Sequence, residues 1–188
     1  MAWIRVIDPQ DATGELAESY AWQAHRLGAP TEFTQLGSLE PALVHARLVL
    51  YRATENAGSA LTVTQRTLVG HVVSVLNRTP HCTSRSRIKL LELGVDPEVL
   101  ARVEAGDDSA LAAADQALVA YARLLTLSPG DVTEDDVRAL RDAGFGDHEI
   151  VDANAQVAHL SYTNRVANGL GLRDEVPADF PAFATVPQ

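Results

Sequence analysis

Apolar residues recur along this chain at the spacing of helical faces, and turn residues interrupt the pattern. Thr62 and Gln65 have the spacing of a capping box, and Leu68, Val72 and Val73 then follow on one side of a 3.6-residue period. Glycine and proline residues end such segments. The pattern predicts helices over residues 13–27, 40–56, 62–78, 80–93, 96–104, 110–127, 133–142 and 147–168. No two segments alternate as a strand pair would, so the predicted fold class is all-α.

Two of these segments have distinctive surfaces. In the second predicted helix, Leu43 and Leu50 belong to one apolar stripe. In the last predicted helix, Asp152 is the only acidic or basic residue between positions 150 and 164. We expect a long helix with so few charges to be buried on more than one side, in the core or against another subunit.

Composition limits the size and the partners of the protein. The 188 residues, of which 46% are apolar, suffice for one domain over 1–188, with an N-terminal arm at 1–12 and an irregular C-terminal arm at 173–188. The net charge of −10 argues against nucleic acid or anionic membranes as partners. A single cysteine excludes an intrachain disulfide, so we expect a cytoplasmic protein. We find neither an apolar run of about 18 residues nor a basic leader, and expect no membrane span or signal peptide.

A second, polar stripe lies on the helix predicted over 62–78. Thr67, His71, Ser74 and Arg78 are separated by four, three and four residues, so they line up on one face. This stripe can be the polar wall of a pocket, with His71 as a general acid or base. It can equally be a solvent-exposed helix face, and the spacing leaves both alternatives open.

Cys82 lies in the first turn of the helix that Pro80 begins. Backbone N–H groups and the helix dipole lower the pKa of a thiol at such a position, and Arg85, with His81 if protonated, would act in the same direction. A reactive thiolate is therefore one prediction. A buried, unreactive cysteine is the alternative.

The histidines give only a weak signal for a metal. His71, His81 and His159 could gather around an ion, but no pair has the spacing of a helical metal site, so we expect neither a metal nor another cofactor. His159 lies among small residues of the last helix, where it is either a hydrogen-bonded core residue or a ligand-binding group. The other histidines are predicted to lie at the surface: His25, His45 and His148.

Four stretches of the sequence occur in an order that is typical of one protein superfamily. They are Val6–Leu16, Leu48–Ala53, Leu61–Leu90 and Tyr162–Gly171. In these stretches the chain resembles the carboxymuconolactone decarboxylase/alkylhydroperoxidase-like superfamily, and in particular its peroxidase-related branch. The resemblance implies an alkylhydroperoxidase-like helical bundle that forms a homo-oligomer, namely a dimer, trimer or hexamer.

The redox motif of that family is degenerate in this chain. The motif is a glutamate, a Cys-x-x-Cys pair that begins twelve residues later, and a histidine four residues after the second cysteine. The corresponding residues here are Thr67, Thr79, Cys82 and Ser86. One thiol cannot by itself complete a dithiol peroxidase cycle. His71 and His159 stand where the family usually has apolar and aromatic residues, which suggests a site adapted to proton transfer.

Three hypotheses on function follow. The first is a cofactor-independent enzyme that acts on a small organic substrate by decarboxylation, isomerisation, elimination or cyclisation. Its catalytic residues would be His71, Cys82 and His81. The residues predicted to bind substrate are Thr67, Ser74, Arg78, Thr79, Arg85, Ser86, His159 and Tyr162. The pocket should lie between the helices that begin at Thr62, Pro80 and Asp147. The second hypothesis is a thiol peroxidase whose Cys82 is resolved by an external thiol, and the third is a non-catalytic ligand-binding or scaffold protein.

Overall fold

The computed structural model describes residues 2–55 and 60–180, apart from the side chain of Arg26. Its helices are α1 (Gly14–Leu27), α2 (Glu32–Gln35), α3 (Pro41–Glu55), α4 (Val63–Leu76), α5 (Pro80–Glu92), α6 (Pro97–Glu104), α7 (Ala113–Leu127), α8 (Glu134–Asp142) and α9 (Asp147–Leu170). Within these ranges no strand is present, and the predicted all-α class is confirmed.

The predicted helices are all found, with one addition. Helix α2 escaped prediction because four residues are too few to show a period. The predicted end of the second helix, at residue 56, lies outside the described residues. The C-terminal arm, as far as residue 180, has no helix and packs on α5, where the Val176 amide donates to Ser84 Oγ at 3.0 Å.

Helix α4 is the centre of the molecule, because it packs against α5, α7 and α9. Val69 and Val73 pack with α7, α8 and α9, and Leu68 and Val72 pack with α5, α6 and α7. Every residue from Thr67 to Ser74 is buried. A helix that is surrounded in this way has no solvent-exposed face along these residues, so the exposed alternative for the polar stripe is wrong.

Helix α3 buries a different face from the one that its apolar stripe suggested. Val44 and Leu48 pack against Leu16 and Tyr20 of α1. Leu43 and Leu50, by contrast, are 46% and 45% exposed. The predicted apolar stripe is therefore at the surface of the single chain, because the neighbouring face makes the contacts with α1 and α9.

Helix α9 contacts α3, α4, α7 and α8. Its buried residues lie on several sides, from Ile150 to Ala167, which confirms the prediction for this helix. Over residues 2–55 and 60–180, no helix combines the length and the apolar character of a membrane span.

Candidate functional site

A cavity of about 130 Å³ lies between α3, α4, α5 and α9. Three of these are the helices between which we predicted a pocket, and α3, with α1 and α2, closes the remaining side. The predicted site residues in its wall are Thr67, Ser74, His81, Cys82, Arg85, Ser86 and His159. The cavity thus brings together residues from α4, α5 and α9 that are far apart in the sequence.

Arg78 does not belong to this wall, and its placement on the polar stripe is wrong. Helix α4 ends at Leu76, and Arg78 takes a left-handed conformation with φ of 52°. The Thr79 amide donates to Ser74 O at 3.0 Å, which closes the helix and turns the chain. The stripe therefore stops one helical turn early, and Arg78 is exposed.

Thr79 and Tyr162 also lie outside the cavity wall. Thr79 is fully buried, and its Oγ1 accepts a hydrogen bond from Asn168 Nδ2 at 2.9 Å. Tyr162 is 37% exposed on α9, beside the Arg47 guanidinium. In this structure neither of them reaches the cavity directly.

His71 is fully buried and lies one hydrogen bond behind the wall. Its Nδ1 is 2.9 Å from the hydroxyl of Ser86, which lines the cavity, and its Nε2 is 3.0 Å from Glu104 Oε1 of α6. The prediction that His71 itself forms the wall is therefore wrong, because its ring points between α5 and α6. The cavity still reaches this imidazole through the Ser86 hydroxyl.

The hydrogen-bond partners of His71 indicate which of its ring nitrogens carries the hydrogen. The Glu104 carboxylate accepts from Arg87, so it also accepts from His71 Nε2–H. Burial lowers the pKa of His71, although Glu104 opposes this, so the imidazole is neutral at pH 7 and its Nδ1 is an acceptor. Ser86 Oγ lies 2.8 Å from the Cys82 carbonyl oxygen and 3.0 Å from the Thr83 carbonyl oxygen, so its hydrogen has three acceptors in reach. Of these, only Nδ1 of the neutral His71 ring has no other donor, so rotation of the hydroxyl toward it completes a hydroxyl–imidazole–carboxylate chain of Ser86, His71 and Glu104.

Cys82 lines the cavity, but its thiol is not activated in the predicted sense. Burial raises the pKa of Cys82 and outweighs the hydrogen bond from Asn164 and the charge of Arg85, which lower it. Burial also lowers the pKa of His81, so its ring is neutral at pH 7 and adds no positive charge. Of the two alternatives for Cys82, the low thiol pKa is the one that the structure contradicts, because burial outweighs Asn164 and Arg85.

Sequence reasoning missed several residues of the wall. Arg47, Glu55, Lys89 and Gln156 all line the cavity. The signal for Arg47 was available, because it is a charged residue on the same face of α3 as Val44. The other three gave no local signal, since their spacing fits ordinary exposed helix positions.

Polar atoms without partners concentrate at this cavity. Among the described residues, six buried side-chain polar atoms have no hydrogen-bond partner, and four of them belong to residues of the wall. These four are Arg47 Nε, Gln156 Oε1, His159 Nδ1 and Thr163 Oγ1. Buried polar atoms normally have partners, so the wall of this cavity is unusual in leaving four of them unsatisfied.

His159 is one of the wall residues with an unpartnered atom. Its ring is 7% exposed and lies 6.1 Å from the ring of Tyr51. Burial lowers the pKa of His159, with Glu55 opposing, so the ring is neutral at pH 7.

In the part of the chain that the structure describes, no three potential metal ligands converge.

Solved structures share this architecture. The alkylhydroperoxidase AhpD core of Ralstonia eutropha JMP134, an uncharacterized peroxidase-related protein, is 20% identical with a TM-score of 0.83, over 100% of this chain and 98% of that one. A peroxidase-related protein from Silicibacter sp. TM1040 is 21% identical with a TM-score of 0.75, over 88% of each chain. The chain has the alkylhydroperoxidase-like fold. The resemblance in the sequence is thus confirmed at the level of the fold. No protein-family model and no curated protein matches the sequence.

The same fold occurs in a protein with another named activity. The debrominase Bmp8, solved as a cysteine-to-alanine variant in complex with 2,3,4-tribromopyrrole, is 15% identical with a TM-score of 0.76, over 94% of this chain and 92% of that one. At this identity the likeness concerns the fold alone.

Proposed function

We propose that this protein is a cofactor-independent enzyme that transfers a proton to or from a small organic substrate. The observation that carries the proposal is the chain from Ser86 in the cavity wall to the buried His71 and on to Glu104. Decarboxylation, isomerisation, elimination and cyclisation are the reaction types that such a site can drive.

The chain has the parts of an acid–base relay. A proton taken from a substrate by the Ser86 oxygen is balanced by transfer of the hydroxyl hydrogen to His71 Nδ1. The imidazolium so formed is stabilised by the Glu104 carboxylate, which lies at its other nitrogen. Reversal of these transfers returns a proton to the substrate, so no net oxidant or reductant is required.

The test is a His71→Gln variant, which keeps a polar side chain but cannot relay a proton. Wild-type protein is incubated in D2O with a panel of small ketones, oxo acids and lactones, and deuterium exchange and product formation are followed by NMR. Because general acid–base groups typically contribute roughly 10²- to 10⁴-fold, we expect the variant to lose about that factor.

The matched control is His148→Gln, which alters an exposed histidine of α9 and should leave the rate unchanged. Thermal unfolding shows whether each variant retains its fold. Equal rates in wild-type protein and a folded His71→Gln variant contradict the relay, as does the absence of any turnover across the panel.

A second candidate is the thiol peroxidase that uses Cys82 with an external thiol. One observation favours it, because the Cys82 sulfur lines the same cavity and Asn164 and Arg85 both favour its thiolate. Such an enzyme forms a sulfenic acid with peroxide and turns over when thiol is added. A Cys82→Ser variant that still consumes peroxide excludes it.

The third hypothesis, a non-catalytic ligand-binding protein, predicts the same cavity without turnover. The D2O experiment distinguishes this hypothesis from the enzyme. A non-catalytic protein should bind compounds of the panel without deuterium exchange and without product. The homo-oligomer and the cytoplasmic location remain predictions.

A further inference from the structure

Arg47 is a buried cation with an incomplete set of partners. Its side chain is 7% exposed and lines the cavity. Its Nη2 donates to Thr34 O over 3.4 Å, and its Nε has no partner. Within the described residues no carboxylate is paired with it; the Tyr162 side chain is a hydrogen-bond partner, and both Tyr162 and Tyr20 are neutral phenols at pH 7 that supply no counter-charge. A guanidinium that is withdrawn from water without a counter-charge is costly, so its place in a cavity wall calls for an anion.

The surrounding chain is built to hold this guanidinium. The Phe33 ring lies 4.9 Å from the guanidinium carbon, at a distance suited to a cation–π contact. A Cβ atom at Gly37 would lie 2.0 Å from Nη2 and 2.9 Å from a methyl carbon of Val44, so a larger residue at this position would displace the guanidinium. The guanidinium of Arg47 therefore packs against the Phe33 ring and against Gly37, and its Nε remains without a partner.

The cavity wall as a whole carries an excess of positive charge. Its cations in the described residues are Arg47, Arg85 and Lys89, and its single carboxylate is Glu55. His81 and His159 add no charge at pH 7, because burial lowers the pKa of each. This local excess lies in a chain of net charge −10, so it is a property of the site.

The remaining unpartnered atoms of the cavity wall belong to residues of α9. Gln156 Nε2 donates to Glu55, which fixes the amide orientation and leaves Oε1 as an acceptor without a donor. His159 Nδ1 and Thr163 Oγ1 are also unbonded. A hydroxyl group can donate to Gln156, and an oxo group can accept from Thr163, whereas a purely apolar ligand would leave these atoms unsatisfied.

We propose that the cavity binds a small organic carboxylate that carries a hydroxyl or oxo group, with the carboxylate held by Arg47. This inference rests on the proposed function only in regarding that ligand as the substrate. The carboxylate accepts the hydrogen bond that Arg47 Nε lacks. The hydroxyl or oxo group bonds with the unpartnered atoms of Gln156, His159 and Thr163 on α9.

Calorimetric titration tests the proposal without requiring turnover. The probes are lactate, glycerate, pyruvate and levulinate, the primary amide of each acid, and inorganic phosphate. We expect at least one acid to bind at millimolar concentration or below, and to bind more tightly than its amide. Because hydrogen bonds to charged groups are strong, Arg47→Gln should weaken binding of the acid roughly 10- to 100-fold and leave the amide unaffected.

Two further variants complete the test. Gly37→Ala keeps the charge of Arg47 but adds a methyl group against its guanidinium and against Val44. If the variant folds, it should weaken binding of the acid in the same way, even if Arg47→Gln fails to fold. Arg138→Gln removes an arginine of α8 that is 57% exposed, and it should leave the affinity unchanged. Equal binding of acid and amide, full affinity in folded variants of Arg47 and Gly37, binding of phosphate only, or no binding by any acid overturns the proposal.

The outcomes also separate this inference from the proposed reaction. Carboxylate binding that depends on Arg47, without any exchange or product, supports the ligand and rejects the enzyme. Turnover of a neutral compound that depends on His71 but not on Arg47 supports the enzyme and rejects the carboxylate.

Discussion

Cys82 shows how one residue is governed by two opposing effects. Its position in the first turn of α5 favours the thiolate, and so do Arg85 and Asn164. Burial disfavours the thiolate more strongly, so the pKa of Cys82 is raised. The sequence contains the first effect but not the second, because the depth of the residue depends on α3 and α9.

We therefore predict slow thiol chemistry at neutral pH. Alkylation of folded protein by iodoacetamide should be roughly tenfold slower or more than alkylation of the same cysteine in urea, because the protonated thiol persists to higher pH and is less accessible. The rate should rise only as pH passes above the ordinary range of a thiol. Faster alkylation in the folded state contradicts the raised pKa and favours the peroxidase candidate.

At the scale of the element, the start of α4 is the one that the sequence predicted. Thr62 Oγ1 accepts from the Gln65 amide at 3.1 Å, and Gln65 Oε1 accepts from the Thr62 amide at 3.1 Å. This capping box was predictable because all its parts lie within four residues. The end of the helix was less predictable, since Arg78 takes the left-handed conformation in which glycine is usual.

Removal of the cap should lower the stability of the whole protein. Thr62 is exposed, so Thr62→Ala changes the cap and leaves the core intact. We expect a loss of about 1 kcal/mol in the free energy of unfolding, measured by urea denaturation, because α4 is central and its start cannot fray independently. Thr62→Ser retains the acceptor oxygen and is the matched control. If both variants unfold at the same urea concentration as wild-type protein, the cap does not stabilise the fold.

At the scale of the whole molecule, burial of three histidines links stability to pH. Burial lowers the pKa of His71, His81 and His159 in the folded state. The unfolded chain therefore binds more protons below the ordinary histidine pKa, and folding becomes less favourable as pH falls.

We predict that the free energy of unfolding decreases between pH 7 and pH 5. Each histidine can contribute up to about 1.4 kcal/mol per pH unit in the window between its ordinary and its lowered pKa. His159→Phe should reduce this pH dependence, whereas His148→Gln at the surface should not. The measurement is urea unfolding at each pH, and an unchanged slope in His159→Phe would show that His159 is not buried in the neutral form. The carboxylates whose pKa is lowered, such as Asp136, change the free energy of unfolding only at lower pH.

The exposed stripe of α3 also belongs to this scale. Leu43 and Leu50 lie on an apolar surface that the single chain leaves uncovered. A second subunit would bury such a surface, as the predicted homo-oligomer requires, and that prediction stays open.

The sequence by itself determined the helices, most of their ends and, through its resemblance to a superfamily, the fold. These features depend on neighbouring residues, as in the capping box of Thr62 and Gln65. The polar stripe also contains Thr67 and Ser74, which line the cavity in the structure.

Only the tertiary structure decided how the site works. His71 lies behind the wall because Glu104, 33 residues away, binds its second nitrogen. Arg47 enters the cavity because α3 turns its face with Val44 inward, and the pKa of Cys82 is raised because burial outweighs Asn164 and Arg85. Burial and long-range pairing depend on which segments pack together, and local spacing alone does not determine that.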